Sequence, residues 1–145
     1  MKMNLSNAKE MRSTFSSSVE LTHVTHADFI KSITNEGETH LCAFINADGS
    51  TTHTILLPDT KADIQWQSAM DWAKELGGDL PTRAELILLY ENHKDKFEER
   101  AYWSNTQHAT GSSYAWGQGF GNGSQNYWFK NSELRARAVR RLIIQ

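Results

Sequence analysis

The sequence predicts an α+β fold, and three observations predict it. A β-hairpin signal comes first, two amphipathic helical stretches follow, and a series of short β segments closes the chain. At 145 residues the chain fits one domain that buries most of its apolar surface. Residues 1–35 are expected to form an arm that is partly ordered or partner-dependent. Residues 36–145 are expected to form the domain itself. The first twenty residues are rich in Ser, Asn and Lys, with few apolar side chains to anchor them.

Each element has its own signal. In "HLCAFINADGSTTHTILLP" two apolar runs, Leu41–Ile45 and Thr54–Leu57, flank an Asp-Gly turn, and Pro58 is expected to end the hairpin. In "DIQWQSAMDWAKELGG" Trp66, Ala69, Met70, Ala73 and Leu76 recur on one helical face. Asp63 is read as its cap and Gly77-Gly78 as its stop. In "LPTRAELILLYENHKD" Thr82 and Glu85 have capping-box spacing, and Leu86, Leu89, Tyr90 and His93 form one stripe. After Phe97 the pattern changes to "AYWSN", "YAWGQGF", "SQNYWFK" and "RARAVRRLI", separated by Gly, Ser and Asn. In the second of these, Tyr114, Trp116, Gln118 and Phe120 share a face by period two.

The net charge of −2 gives no bulk attraction for nucleic acid or an anionic membrane. Cys42 is the only cysteine, so an internal disulfide and a cysteine-based zinc site are both excluded. No signal peptide or membrane-spanning run is legible, which leads to the expectation of a cytoplasmic protein of the bacterial host cytosol, or of a virion component assembled there. The six histidines show no metal-binding spacing, so no metal or other cofactor is expected. His23 and His26 lie three apart. His40 and His53 are placed to meet across the hairpin.

The series "HTILLPDTKADIQWQSAMDWAKELGG", "LPTRAELILLY", "YWSNTQH", "AWGQGFGNGSQ" and "RARAVRRL", over roughly residues 40–142, resembles a group of small proteins encoded by tailed phages and prophages. They belong to a larger family of bacterial domains of unknown function that includes the C-terminal domain of a Legionella collagen-like adhesin. The resemblance implies a C-type-lectin-like fold: two helices packed on a small twisted antiparallel sheet with long loops, here preceded by a β-hairpin region. It does not imply an activity. Sugar lectins of that fold hold calcium with carboxylates and amides around a proline. Residues 101–132 contain no Asp or Glu, and no proline follows Pro81, so calcium-independent binding is expected.

The candidate site is the stretch from Ala101 to Lys130, which holds three of the five tryptophans and five of the nine glycines, with Lys130 as its one fully charged residue. Such a mixture of Tyr, Trp, Ser, Gly and Asn suits binding loops on a rigid frame. The expected binding residues are Tyr114, Gln118, Asn122, Gln125, Tyr127, Trp128, His108 and Arg137. The expected core residues are Trp66, Leu86, Trp103, Trp116 and Val139. No nucleophile elbow, phosphate loop or reactive-cysteine pair is present, so a non-enzymatic module is expected, one that recognises a macromolecular partner. A protein partner is favoured, for instance a host protein in a defence or other host process. The alternatives are a virion or adhesin-type domain reading a cell-surface glycan or protein, and a small-metabolite or nucleotide enzyme using His108, Arg137 and Glu85. The arginine cluster of the last segment is read as structural pairing rather than nucleic-acid binding.

Overall fold

In a computed structural model the described residues are 24–145. They divide after Ile33, and Thr34–Gln145 forms a compact unit of its own. The readings of the first twenty residues and of His23 fall outside the described residues. Before the division lies helix α1 (His26–Ile33), in a stretch whose sequence pattern is ambiguous. Its start has local chemistry: the Thr25 hydroxyl accepts from the Asp28 amide, and the Asp28 carboxylate accepts from the Thr25 amide.

The second unit is α+β. Its elements are β1 (Thr39–Ile45), β2 (Thr51–Ile64), α2 (Trp66–Glu75), α3 (Arg83–His93), a 3-10 turn (Lys94–Lys96), β3 (Ala101–Gln107), β4 (Tyr114–Gly119), β5 (Gln125–Phe129) and β6 (Leu134–Ile144). The six strands form one sheet in the order β1-β2-β6-β3-β4-β5. All ladders are antiparallel except the short parallel junction of β3 with β6, at Tyr102 and Arg135. The hairpin therefore does not precede a separate small sheet. It is one end of a single mixed sheet.

Alternation along the strands sends neighbouring residues to opposite faces, and each face packs against one helix. Leu57, Trp103 and Ala138 join Trp66, Ala69 and Ala73 of α2, with Ala115 and Ala136, in one core. Their chain neighbours Leu56, Tyr102 and Val139 join Leu86 and Leu89 of α3, with Phe120, in the other. The α2 core is locked by two indoles. Trp66 Nε1 donates to the Ser104 carbonyl at 2.8 Å, and Trp103 Nε1 donates to the Ile64 carbonyl at 2.8 Å. The α3 core is aromatic, with Phe97 stacked on Phe120 at 4.1 Å and edge-on to Tyr102. Among the expected core residues, Trp66, Leu86, Trp103 and Val139 are buried.

The helix ends follow local chemistry. α3 carries the full capping box of Thr82 and Glu85. α2 ends in a Schellman motif: the Gly77 and Gly78 amides bond back to Lys74 and Ala73, with Gly77 at φ +80. Its start differs from the expectation. Asp63 is not the cap. It is the penultimate residue of β2, at φ +47, and Gln65 takes the capping position without a side-chain bond. Pro58 does not end the hairpin strand either. Its missing N–H falls within the register shift between Leu56 and Thr60, where pairing with β6 is already interrupted, so the strand runs on to Ile64.

Candidate functional site

β4 and β5 form an unbroken ladder in which Tyr114 opposes Phe129, Trp116 opposes Tyr127 and Gln118 opposes Gln125. All six side chains point to the α3 side, because Ala115 and Trp128 between them belong to the α2 core. Helix α3 covers only the Gln118–Gln125 end of this face. Its first residue, Arg83, donates from Nε to Gln125 Oε1 at 3.0 Å and receives Gln125 Nε2 on its own carbonyl at 2.7 Å. The Arg83 guanidinium lies 3.6 Å above the Trp116 ring. This cation–π contact holds a positive charge at a helix N-terminus, where the peptide dipoles disfavour one.

Beyond Arg83 the face is open and aromatic. Tyr114 stacks on Phe129 at 4.5 Å and meets Tyr127 edge-on at 5.3 Å. His108, on the loop after β3, stacks on Trp116 at 5.5 Å and meets Tyr127 at 4.5 Å. The His108 ring is fixed by its loop, since Nδ1 accepts the Gly111 amide at 3.0 Å. That leaves Nε2 to carry the ring hydrogen. Tyr127 keeps 49% and Phe129 53% of their surface in water, a large exposure for two adjacent ring pairs.

The expected binding residues separate into three groups. Tyr114, Tyr127 and His108 come together in the open ring cluster, with Gln125 at its covered border. Asn122 shapes the β4–β5 turn by accepting from the Ser124 amide and hydroxyl, and its side chain stays exposed. Gln118, Trp128 and Arg137 do not join the surface. Gln118 is fully buried under α3, with its Oε1 unpartnered. Trp128 faces the other way, against the α2 core and over Gly117, where its ring comes within 3.0 Å of where a Cβ would sit. Arg137 is buried and donates to the Lys96 carbonyl at 2.6 Å and the Leu57 carbonyl at 2.8 Å. Burial pushes its pKa down, opposed by the nearby Tyr102 and Asp59.

Trp116, expected in the core, is instead half-buried on the ring face between Arg83, His108 and Tyr127. Phe129 is a ring of the open face that the expected list omits. Its place follows from the same period-two pattern that relates it to Tyr127.

A second, closed region lies on the same side of the sheet. Glu85, 5% exposed, accepts from the Thr82 amide, from Thr54 Oγ1 at 2.9 Å and from Arg141 through Nε and Nη2. Arg141 also reaches Asp79 at 2.9 Å. Burial raises the Glu85 pKa, but the Arg141 hydrogen bonds, the Thr82 amide and the Thr54 hydroxyl outweigh it, and the net shift is downward. A saturated carboxylate of this kind is poorly placed to take up a substrate proton. His108, Arg137 and Glu85 have separate partners and form no joint constellation.

A hollow of about 460 Å³ is lined by Asp63, Glu98, Arg100, Trp128, Glu133 and Arg135, and within it Arg135 pairs with Glu98 at 3.3 Å. Among the described residues, no three His, Cys, Asp or Glu side chains are grouped so as to hold a metal ion. No helix among them is long and apolar enough to cross a membrane. No protein-family model matches the chain, and no curated protein matches it.

Proposed function

We propose that this chain is a non-enzymatic binding module of the phage or prophage type, built on a C-type-lectin-like frame, that engages a host protein through its open ring face. The observation that carries this reading is the open cluster of the exposed Tyr127 and Phe129 with the half-buried Tyr114, backed by His108, Trp116 and Arg83. Tyrosine and tryptophan anchors give large contact area at low entropic cost, and a few of them dominate the energy of most protein interfaces. The rings are braced by one another and by an arginine, so little order has to be gained on binding. A module of this kind acts by occupying a surface of its partner, which suits inhibition of a host defence or other host process.

The test is capture from bacterial lysate with the wild-type chain, the Tyr114→Ala/Tyr127→Ala double variant and, as control, Ile87→Ala, which alters an exposed residue of α3. Anchor rings are typically worth about 1–2 kcal/mol each, so recovery of a specific protein is expected to fall at least roughly tenfold in the double variant. Ile87→Ala is expected to recover as wild type. Unchanged recovery by a folded double variant overturns the assignment of this face. Specific retention of a polysaccharide, with no protein, favours a glycan-reading recognition domain instead.

A further inference from the structure

We propose that two copies of this chain pair antiparallel along β5, about a two-fold axis at Tyr127, so that one continuous ring face is built from both. The inference goes beyond the single-chain reading and does not depend on any host partner.

β5 is the last strand of the sheet, so one of its edges has no neighbouring strand among the described residues. The direction of its peptide groups follows from the ladder. The Lys130 amide donates to the Ser113 carbonyl, and the Gly119 amide donates to the Ser124 carbonyl. Antiparallel pairs alternate, so Asn126 and Trp128 also direct their peptide groups toward β4. Gln125, Tyr127 and Phe129 direct theirs away. The Phe129 carbonyl accepts the Ser132 amide in a turn, whereas the Tyr127 amide and carbonyl face the outer edge, where no strand pairs among the described residues. Tyr127 thus presents a free donor and a free acceptor on the same edge.

This edge lacks the devices that normally block strand addition, namely charged side chains, proline and bulges. "QNYWF" has no charge and no proline. Its ladder with β4 runs through five consecutive pairs without a shift, whereas the β1–β2, β2–β6 and β3–β4 ladders are each irregular. The opposite edge of the sheet, β1, carries such an irregularity between His40 and Cys42.

The strand is also complementary to itself. A two-fold at Tyr127 sets Tyr127 against its own copy in a hydrogen-bonded pair and Gln125 against Phe129 of the second copy. It sets Lys130 against Ser124, so the two lysines do not oppose each other. On the α3 side, the Tyr127 and Phe129 rings of the two chains then lie on one surface. The second copy thereby contributes residues to the ring face itself.

The test is sedimentation of the full chain from about 1 to about 300 µM, where a single strand pair with ring contacts is expected to dimerise in the range of about 10–100 µM. Tyr127→Pro removes the outward amide while leaving the β4 ladder intact, and is expected to weaken association at least roughly thirtyfold. Tyr127→Ala keeps that amide and is expected to lose no more than about fivefold, which separates backbone pairing from ring contact. Phe44→Lys, at the β1 edge, is expected to change nothing.

Register is read independently by oxidation in a Cys42→Ser background. Hydrogen-bonded antiparallel partners have Cα atoms about 5.5 Å apart, within disulfide reach, so Tyr127→Cys is expected to cross-link and Gln125→Cys alone is not. If Tyr127→Pro fails to fold, this pair of variants decides the question. A chain monomeric at the top concentration, a folded Tyr127→Pro variant that associates as wild type, loss of association in Phe44→Lys, or equal cross-linking at both positions each overturns the proposal.

Discussion

Two regions on the same side of the sheet use opposite chemistry. Under α3, Glu85, Arg141, Asp79 and Thr54 form one bonded network, and β6, which carries Arg141, directs Arg137 onto the Lys96 and Leu57 carbonyls and Arg140 onto Glu38. Past the start of that helix, Tyr114, Tyr127 and Phe129 pack on one another and on His108, with Tyr114 also over Gly111 and with Tyr127 and Phe129 exposed. The difference shows where recognition can reside. The reading of the arginine cluster as structural pairing agrees with Arg137, Arg140 and Arg141, which are engaged within the protein. The uncharged segment keeps its contact potential because no charge inside the protein competes for it.

The comparison can be broken hardest on its closed side. Glu85→Gln removes the carboxylate that receives Arg141, Thr54 and the Thr82 amide together. Leaving the partly exposed Arg141 short of its buried partner is expected to destabilise the fold by about 2 kcal/mol in a urea melt, with Asp79 retaining part of the pairing. A loss below about 1 kcal/mol would show the network to be no more than a surface pair.

Of similar size is Gly123→Ala, at the turn that carries β4 into β5. Gly123 sits at φ +80, and a Cβ there would come within 2.6 Å of the Tyr90 ring. The expected loss is about 2 kcal/mol, from left-handed strain and displacement of Tyr90. The ring face should suffer with it, because Tyr114 and Tyr127 are aligned by the ladder that this turn starts.

The smallest effect is expected at the hairpin, where His53 is the chain neighbour of Thr54 in the closed region. His40 Nε2 lies 2.8 Å from His53 Nδ1, and burial, followed by the repulsion of a charged His53, holds the His40 pKa below its ordinary 6.5. The unfolded chain takes up that proton more readily. Stability is therefore complete above pH 6.5 and falls as the pH drops below it, through the lowered folded value. The Glu85 and Glu38 carboxylates shift below 4.5 and stay ionised across this window. Melting temperature measured from pH 7.5 to 5.5 is expected to fall in wild type and to flatten in His40→Gln. An equal slope in both would remove His40 as the cause.

Much of the frame is legible in local chemistry. The Asp-Gly hairpin, the Thr82–Glu85 capping box and the Gly77-Gly78 stop depend on neighbours within a few residues, and each forms as its pattern predicts. The shared face of Tyr114, Trp116, Gln118 and Phe120 is legible too. What period two cannot tell is which face turns inward. That depends on β5, whose Trp128 fills the α2 side over Gly117 and leaves Trp116 on the other. Arg137 and Gln118 depart from the expected binding surface for a related reason. Their partners, Lys96 and Leu57 for the first and the covering helix for the second, lie far away in sequence. Asp63 looked like a helix cap because acid-before-apolar is a local rule, but an extended β2 claims that position first.

The strand order has a consequence for how this protein is made. β6 lies between β2 and β3, so the hairpin half and the ring-bearing half of the sheet are joined only through the segment furthest along the sequence. Thr51 must find Ile144, and Tyr102 must find Arg135. Such non-local closure is entropically slow. On the ribosome the two halves would emerge unjoined, with the apolar sides of Tyr102, Trp103 and Leu56 uncovered until synthesis reaches the Leu134–Ile144 segment. The nascent chain would then be a substrate for holding chaperones in proportion to that delay.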